Sequence, residues 1–179
     1  LDGNANYDLG EFGKQLRTNG FYNQSLNLAT EQDIPANASM LMIASPQVDL
    51  LDGEVDKLLD YIDRGGNLLW LVDQESLRGL LPLTEKLQLT LTRDVVVDPQ
   101  AEQLKAPITF ALGANYGQHV ITHNFDYITV FPFARQITIN ENAEWSSVSL
   151  VEVAQQGWVE TGNLNDEIVF DQATDIEGP

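Results

Sequence analysis

The sequence predicts an α/β fold, and three stretches carry that prediction. "SMLMIAS" (39–45) and "NLLWLV" (67–72) are short continuous apolar runs, the mark of strands covered on both faces in a parallel sheet. Between them Leu51, Val55, Leu58, Leu59 and Ile62 fall at i, i+4, i+7, i+8 and i+11, one apolar stripe of a helix over roughly 50–64. Strand, helix and strand joined by short links make a βαβ unit, right-handed by a strong steric rule.

The other elements come in order. "YDLGEFGKQLRTNGF" (7–21) reads as a helix: Asp8 and Glu11 have capping-box spacing, Leu9, Phe12 and Leu16 share a face, and Asn19-Gly20 stops it. "FYNQSLNL" (21–28) alternates apolar and polar residues as a half-buried strand does. In the central helix Asp49 and Asp52 suit the N-terminal dipole and Arg64 the C-terminal one, and Gly65 supplies a left-handed stop. "SLRGLLPLTEKL" (76–87) is either one helix broken before Pro82 or two short ones. Strands are expected within 89–99, 106–113, 128–140, 147–154 and 168–170, so the second half is rich in strands. No repeat or low-complexity linker divides residues 1–179, and a single domain is expected.

Nine Lys and Arg face 27 Asp and Glu, a formal charge of −18. Such a surface repels phosphate, which argues against nucleic acids and anionic membrane surfaces as partners. Arg135 is the last basic residue, and the 44 residues after it carry nine acids. That acidic stretch is either a Ca²⁺ or basic-partner site or a solvated face or tail, and no loop has calcium-hand spacing. Cysteine is absent, so disulfides, thiolate metal sites and cysteine nucleophiles are excluded. The longest apolar runs are about five residues, as in "LLWLV" (68–72), too short for a transmembrane helix or a signal peptide. Leu1 is not a methionine, and the chain reads as an excised piece.

No nucleophile elbow, Walker loop or dinucleotide fingerprint occurs. Gly65-Gly66 follow a helix and precede a strand, the reverse of the order a phosphate-cradling loop needs. Ligands of open α/β sheets sit beyond the carboxyl ends of the strands. Ser45 and Asp73 follow the two apolar strands at that end, and on neighbouring strands they share one rim. The bland alternative is that Asp73 caps the next helix and Ser45 opens a turn. His119 and His123, in "GQHVITHNF" (117–125), have H-x-x-x-H spacing, which on a helix would suit a metal. The β-branched residues between them favour a strand instead, which parts the rings by ~13 Å. No metal or cofactor is expected.

The stretches "YDLGEFGKQLRTNGF…SLNL", "IPANASMLMIASPQVDLLDGEVDKLLDYIDRGGNLLWLVD", "DVVVDP", "HVIT" and "FPFAR" occur in the order found in one bacterial family. Over about residues 7–179 the chain resembles the extracytoplasmic domain of gliding-motility-type ABC-transporter auxiliary proteins. The resemblance implies a three-layer fold like that of class I glutamine amidotransferases, without their catalytic residues. It also implies anchoring in the inner membrane, a periplasmic location, and work alongside an ABC permease and ATPase. In the family a buried strand with a Gly-His-Gly-Glu-like end precedes the first helix, and another follows the Gly-Pro matched by Gly178-Pro179; both lie outside this chain. Edges left unpaired by their absence would invite another chain, including a second copy.

Together these readings give one α/β domain over 1–179, three-layered with a mostly parallel sheet, flavodoxin- or class I glutamine amidotransferase-like, with a strand-rich C-terminal half. The function expected is a non-catalytic auxiliary or substrate-binding periplasmic part of an ABC-type transport system. Ser45, Asp73, Asp98 and His119 are the candidate ligand-binding residues. Phe131, Phe133 and Arg135 of "FPFAR" are candidates for docking a partner, unless they form a buried strand ending in an arginine. Two rival readings carry their own geometry. A hydrolase would bring Asp73 within reach of His119 or His123, and a polysaccharide-binding module would expose Trp145 and Trp158 along one groove.

Overall fold

The computed structural model describes residues 3, 8–74, 76–140 and 144–178. Two units divide the chain, Leu1–Ala38 and Ser39–Pro179. In the first, helix α1 spans Gly10–Thr18 with Leu9 at its N-cap and no side-chain cap bond. Asp8 therefore stands one residue too early to make the expected capping box. The C-terminus agrees with the sequence: Gly20 has φ 87°, its N–H donates to Arg17 O, and Phe21 N–H donates to Leu16 O. This double bond pattern is a Schellman stop. Residues 21–28 form no strand despite their alternation. A strand needs a neighbour, and no described segment pairs with them.

The second unit opens with the βαβ unit. Strand β1 (Leu41–Ala44) and β2 (Leu68–Leu71) pair in parallel, Leu41 against Leu68 through Ala44 against Leu71. Helix α2 (Asp52–Asp63) joins them, and the Glu54 carboxylate accepts from Leu51 N–H at its start. At its end Gly65, φ 83°, donates to Ile62 O while Gly66 donates to Tyr61 O, the same Schellman stop. Tyr61 O–H donates to Asn67 O, and Asn67 Nδ2 donates to Ser39 O, which ties the starts of both strands. Helix α3 (Leu81–Leu87) carries Pro82 in its first turn, so the proline starts a helix where the sequence suggested a break. The first turn has no intrahelical partner for that N–H, so nothing is lost there. Leu58, Leu80 and Leu83 are fully buried around α2 and α3, and Lys86 on α3 binds the Asp63 carboxylate on α2.

Beyond α3 the strands are β3 (Leu89–Leu91), β4 (Val95–Val97), β5 (Phe110–Gly113), β6 (Asn115–Tyr116), β7 (Thr129–Pro132), β8 (Ile137–Ile139), β9 (Val151–Glu152), β10 (Trp158–Glu160) and β11 (Ile176–Glu177). A 3₁₀ helix, Pro99–Leu104, follows β4. Here the sequence expectation is corrected. Among the described residues β1–β2 is the one parallel pair, and β3–β8, β5–β7, β6–β9 and β11–β10–β4 are all antiparallel. The mostly parallel sheet of flavodoxin or amidotransferase type does not form. A parallel neighbour needs a long crossover, usually a helix, and no α-helix lies in the described chain after Leu87. Strands β1 and β2 are only half-buried as well, not covered on both faces.

The apolar run 128–140 is cut by Phe133, whose φ of 51° turns the chain between β7 and β8. Residues 168–170 form no strand, whereas Trp158–Glu160, not foreseen as a strand, is the middle of the three-stranded sheet. Alternation along β4 feeds two clusters: Val95 and Val97 pack with Trp158, and Val96 packs with Ala111 and Val159.

Asp175 closes the C-terminal loop. Its carboxylate accepts from Asp171 N–H at 2.8 Å and from Thr161 N–H and Oγ1–H at 3.0 and 3.1 Å. The Asp171 amide holds its pKa below the ordinary 3.8, helped by Thr161 and opposed by desolvation. A carboxylate depressed on folding stabilises above its unfolded pKa, and that contribution is lost as pH falls through the lower, folded value. Hydrogen exchange at Thr161 and Asp171, corrected for intrinsic rates, is expected to quicken below about pH 3.8 and to be fast at every pH in Asp175→Ala. Protection unchanged by either treatment would rule the staple out.

Candidate functional site

One concavity is built by strands remote in sequence. A cleft of about 770 Å³ opens between β3, β8, β5, β7, β9 and β10. Leu112, Phe131, Ile137, Ile139, Val151 and Val159 give its apolar walls. Its floor is the Val96, Ala111 and Val159 cluster, so the cleft is a hydrophobic interior left open on one side. The Trp158 ring lies on the other face of β10, 8% exposed against Val95, Val97 and Phe170, with its indole N–H bonded to the Glu160 carboxylate.

Arg135 is the one basic residue in this lining. The turn at Phe133 places it between β7 and β8, and its Nε–H donates to Thr92 O at 2.6 Å. Burial lowers its pKa from the usual arginine value, and Arg93 pushes the same way, against Asp73 and Asp94. A guanidinium stays protonated regardless, so the shift measures how far the cation has been taken from water. The Thr92 hydroxyl is buried without a hydrogen-bond partner among the described residues. Thus the cleft joins an apolar body to one anchored cation.

The sequence candidates divide. Phe131, 40% exposed, and Arg135 share the cleft wall. Phe133 does not line it, because the left-handed turn sends its ring edge-on to Phe110, with centroids 6.2 Å apart. Ser45 and Asp73 do share the carboxyl rim of β1 and β2, in a separate crevice of about 40 Å³. Ser45 N–H donates to Leu71 O, and Asp73 Oδ1 accepts from Gln74 N–H. That crevice holds about one water's share of volume, roughly 30 Å³, and suits no larger ligand.

Asp98 is corrected from a rim residue to a buried brace. It is 0% exposed, and its two oxygens accept from Gln100 N–H at 2.9 Å and Leu112 N–H at 3.1 Å. His119 and His123 lie on turns of the loop after β6, neither helix nor strand, and both are exposed. His119 Nδ1 accepts from Ile121 N–H. The loop has its own concavity, bounded by Gly117, Thr122 and Asp126, and Asp73 is not part of it. No hydrogen bond or ion pair joins Asp73 to either ring, so the geometry a hydrolase required is not made. No described group of three His, Asp or Glu side chains is placed to hold a metal. Trp145 bonds through its N–H to Lys86 O on α3 and Trp158 is buried against Val95, Val97 and Phe170, so the two form no aromatic platform.

With this geometry the relatives take on meaning. A family model described as an ABC-type uncharacterized transport system, for its auxiliary component, matches residues 6–177. The chain belongs to this family. The ABC-transport auxiliary family implies transporter subunits as partners in general and a role in transport. The auxiliary protein is also similar to a solved structure named "mmIFT52 N-terminal domain", with TM-score 0.61 and 21% identity over 79% of this chain and 68% of that one. At that identity the likeness concerns the fold, and it replaces the flavodoxin-type expectation. No curated protein matches the chain. No helix among the described residues of this auxiliary protein is long and apolar enough to cross a membrane.

Sequence reasoning missed Ile137, Ile139 and Val151 as site residues. They read as ordinary core positions, and only pairing between strands up to 50 residues apart, such as Leu89 with Ile139, turns them toward one space.

Proposed function

We propose that the chain is the non-catalytic, substrate-binding part of a gliding-motility-type auxiliary protein, periplasmic and anchored in the inner membrane. In this reading it works with the permease and ATPase subunits of one ABC-type system. The observation that carries it is the cleft: an apolar concavity with one anchored cation, in a chain of the auxiliary family, has the chemistry of a binding site. Such a site needs shape and one orienting polar group, and neither a nucleophile nor an acid–base pair.

Two measurements test this. The protein is expected to co-purify from its native membrane with an ABC ATPase and permease, and recovery of neither would overturn the transporter reading. For location, the absence of cysteine makes Val120→Cys a clean reporter at a position 84% exposed. A membrane-impermeant maleimide should label it in cells with only the outer membrane opened. Labelling that waits for lysis of the inner membrane would place the domain in the cytoplasm.

A further inference from the structure

We infer that the cleft binds a single-chain amphiphile, an unbranched apolar tail with a carboxylate or phosphate head, and that Arg135 receives the head. This deepens the substrate-binding reading and rests on it. The tail is argued from the walls, where Leu112, Phe131, Ile137, Ile139 and Val159 line one connected space. Its volume of about 770 Å³ falls in the range of roughly 300–1,000 Å³ typical of small-molecule sites. The head is argued from charge. Arg135 is the lining's one cation, held in place by Thr92 O. A guanidinium fork supports several hydrogen bonds at once, so the Thr92 anchor and an anionic head are compatible. Glu152 and Glu177 also line the cleft, but the carboxylates that act most on Arg135 are Asp73 and Asp94. The −18 charge of the chain opposes an anion at long range, yet at physiological salt that repulsion is screened within about 8 Å.

The test uses the full chain with decanoate, decyl phosphate, neutral decanol and decyltrimethylammonium, each below its micellar concentration. Calorimetry on the unmodified chain reads the binding. Decanoate and decyl phosphate are expected to bind at least tenfold tighter than decanol, and the cationic probe weakest. Carboxylate against phosphate then identifies the head. Lengthening the alkanoate should tighten binding about fourfold per methylene until the cleft is filled. Arg135→Gln should remove the preference for anionic heads and keep the tail dependence, while Arg135→Lys should keep part of the preference. Phe131→Ala should weaken all probes alike. Equal binding of the four heads, tightest binding of the cation, or no saturable binding would overturn the inference, and the wild-type series decides this even if Arg135→Gln fails to fold. Co-purification of the transporter subunits without binding of any probe would sink the ligand alone. Binding of the anions without those subunits would sink the transporter reading instead.

Discussion

Asp98→Ala is expected to lower the stability of the fold by about 2–4 kcal/mol, because two buried amides lose their acceptor together at roughly 1–3 kcal/mol each. One oxygen caps the 3₁₀ helix at Gln100 N–H, and the other holds Leu112 N–H on β5. Asp98 is fully buried and so is its bond to Leu112, which water cannot replace, while the Gln100 bond is part-buried. Relief from burying the carboxylate itself offsets part of the loss, hence the lower half of the summed range. Asp98→Asn should fare little better, since its amide nitrogen would face an N–H donor at one of the two positions. Urea denaturation followed by circular dichroism measures the effect. A loss under about 1 kcal/mol would show that the brace is not needed and would reopen Asp98 as a site residue.

Leu83→Ala is expected to cost about 2–5 kcal/mol, the usual range for a fully buried leucine that leaves a cavity. Leu83 is 0% exposed and sits with Leu58 and Leu80 in the core that α2 and α3 make beside the β1–β2 pair. That pair has two strands and half-buried faces, so it relies on this core more than a wider sheet would. The exchange protection of β1 and β2 should fall further than that of β4 and β10, whose core is a separate cluster around Val97 and Trp158. A uniform loss across both regions would mean that they unfold as one cooperative unit. Leu83→Met, similar in volume, should cost less than about 1.5 kcal/mol.

Much of the first half was legible because its signals are local. The stripe from Val55 to Ile62, the stop at Gly65 and the parallel pairing of "LMIA" with "LLWL" depend on neighbours in sequence and form as read, while Leu51 is left as an exposed N-cap and the two strands are only half-buried. The shared rim of Ser45 and Asp73 comes from the same unit. Where local rules failed, a second choice existed that sequence cannot rank. Pro82 suits a helix start as well as a helix break, and Asp8 could cap only if the helix began one residue earlier. Residues 21–28 have the pattern of a strand but no described partner.

The site was legible in fragments. "FPFAR" marked Phe131 and Arg135, yet the left-handed turn at Phe133 decides that one phenylalanine faces the cleft and the other stacks on Phe110. Asp98 looked like the end of a strand open to a ligand, and its burial depends on β5 arriving from 14 residues away.

By itself, then, the sequence determined the βαβ unit, the helix stops, the acidic surface and the exclusion of cysteine chemistry, since these depend on composition and on contacts within a few residues. The tertiary structure alone decided that the later strands pair antiparallel and leave an apolar cleft with a single cation in its wall. The physical reason is that an apolar strand has the same pattern whichever neighbour it takes. Its partner is chosen by long-range packing, and a cleft exists only once those partners are in place.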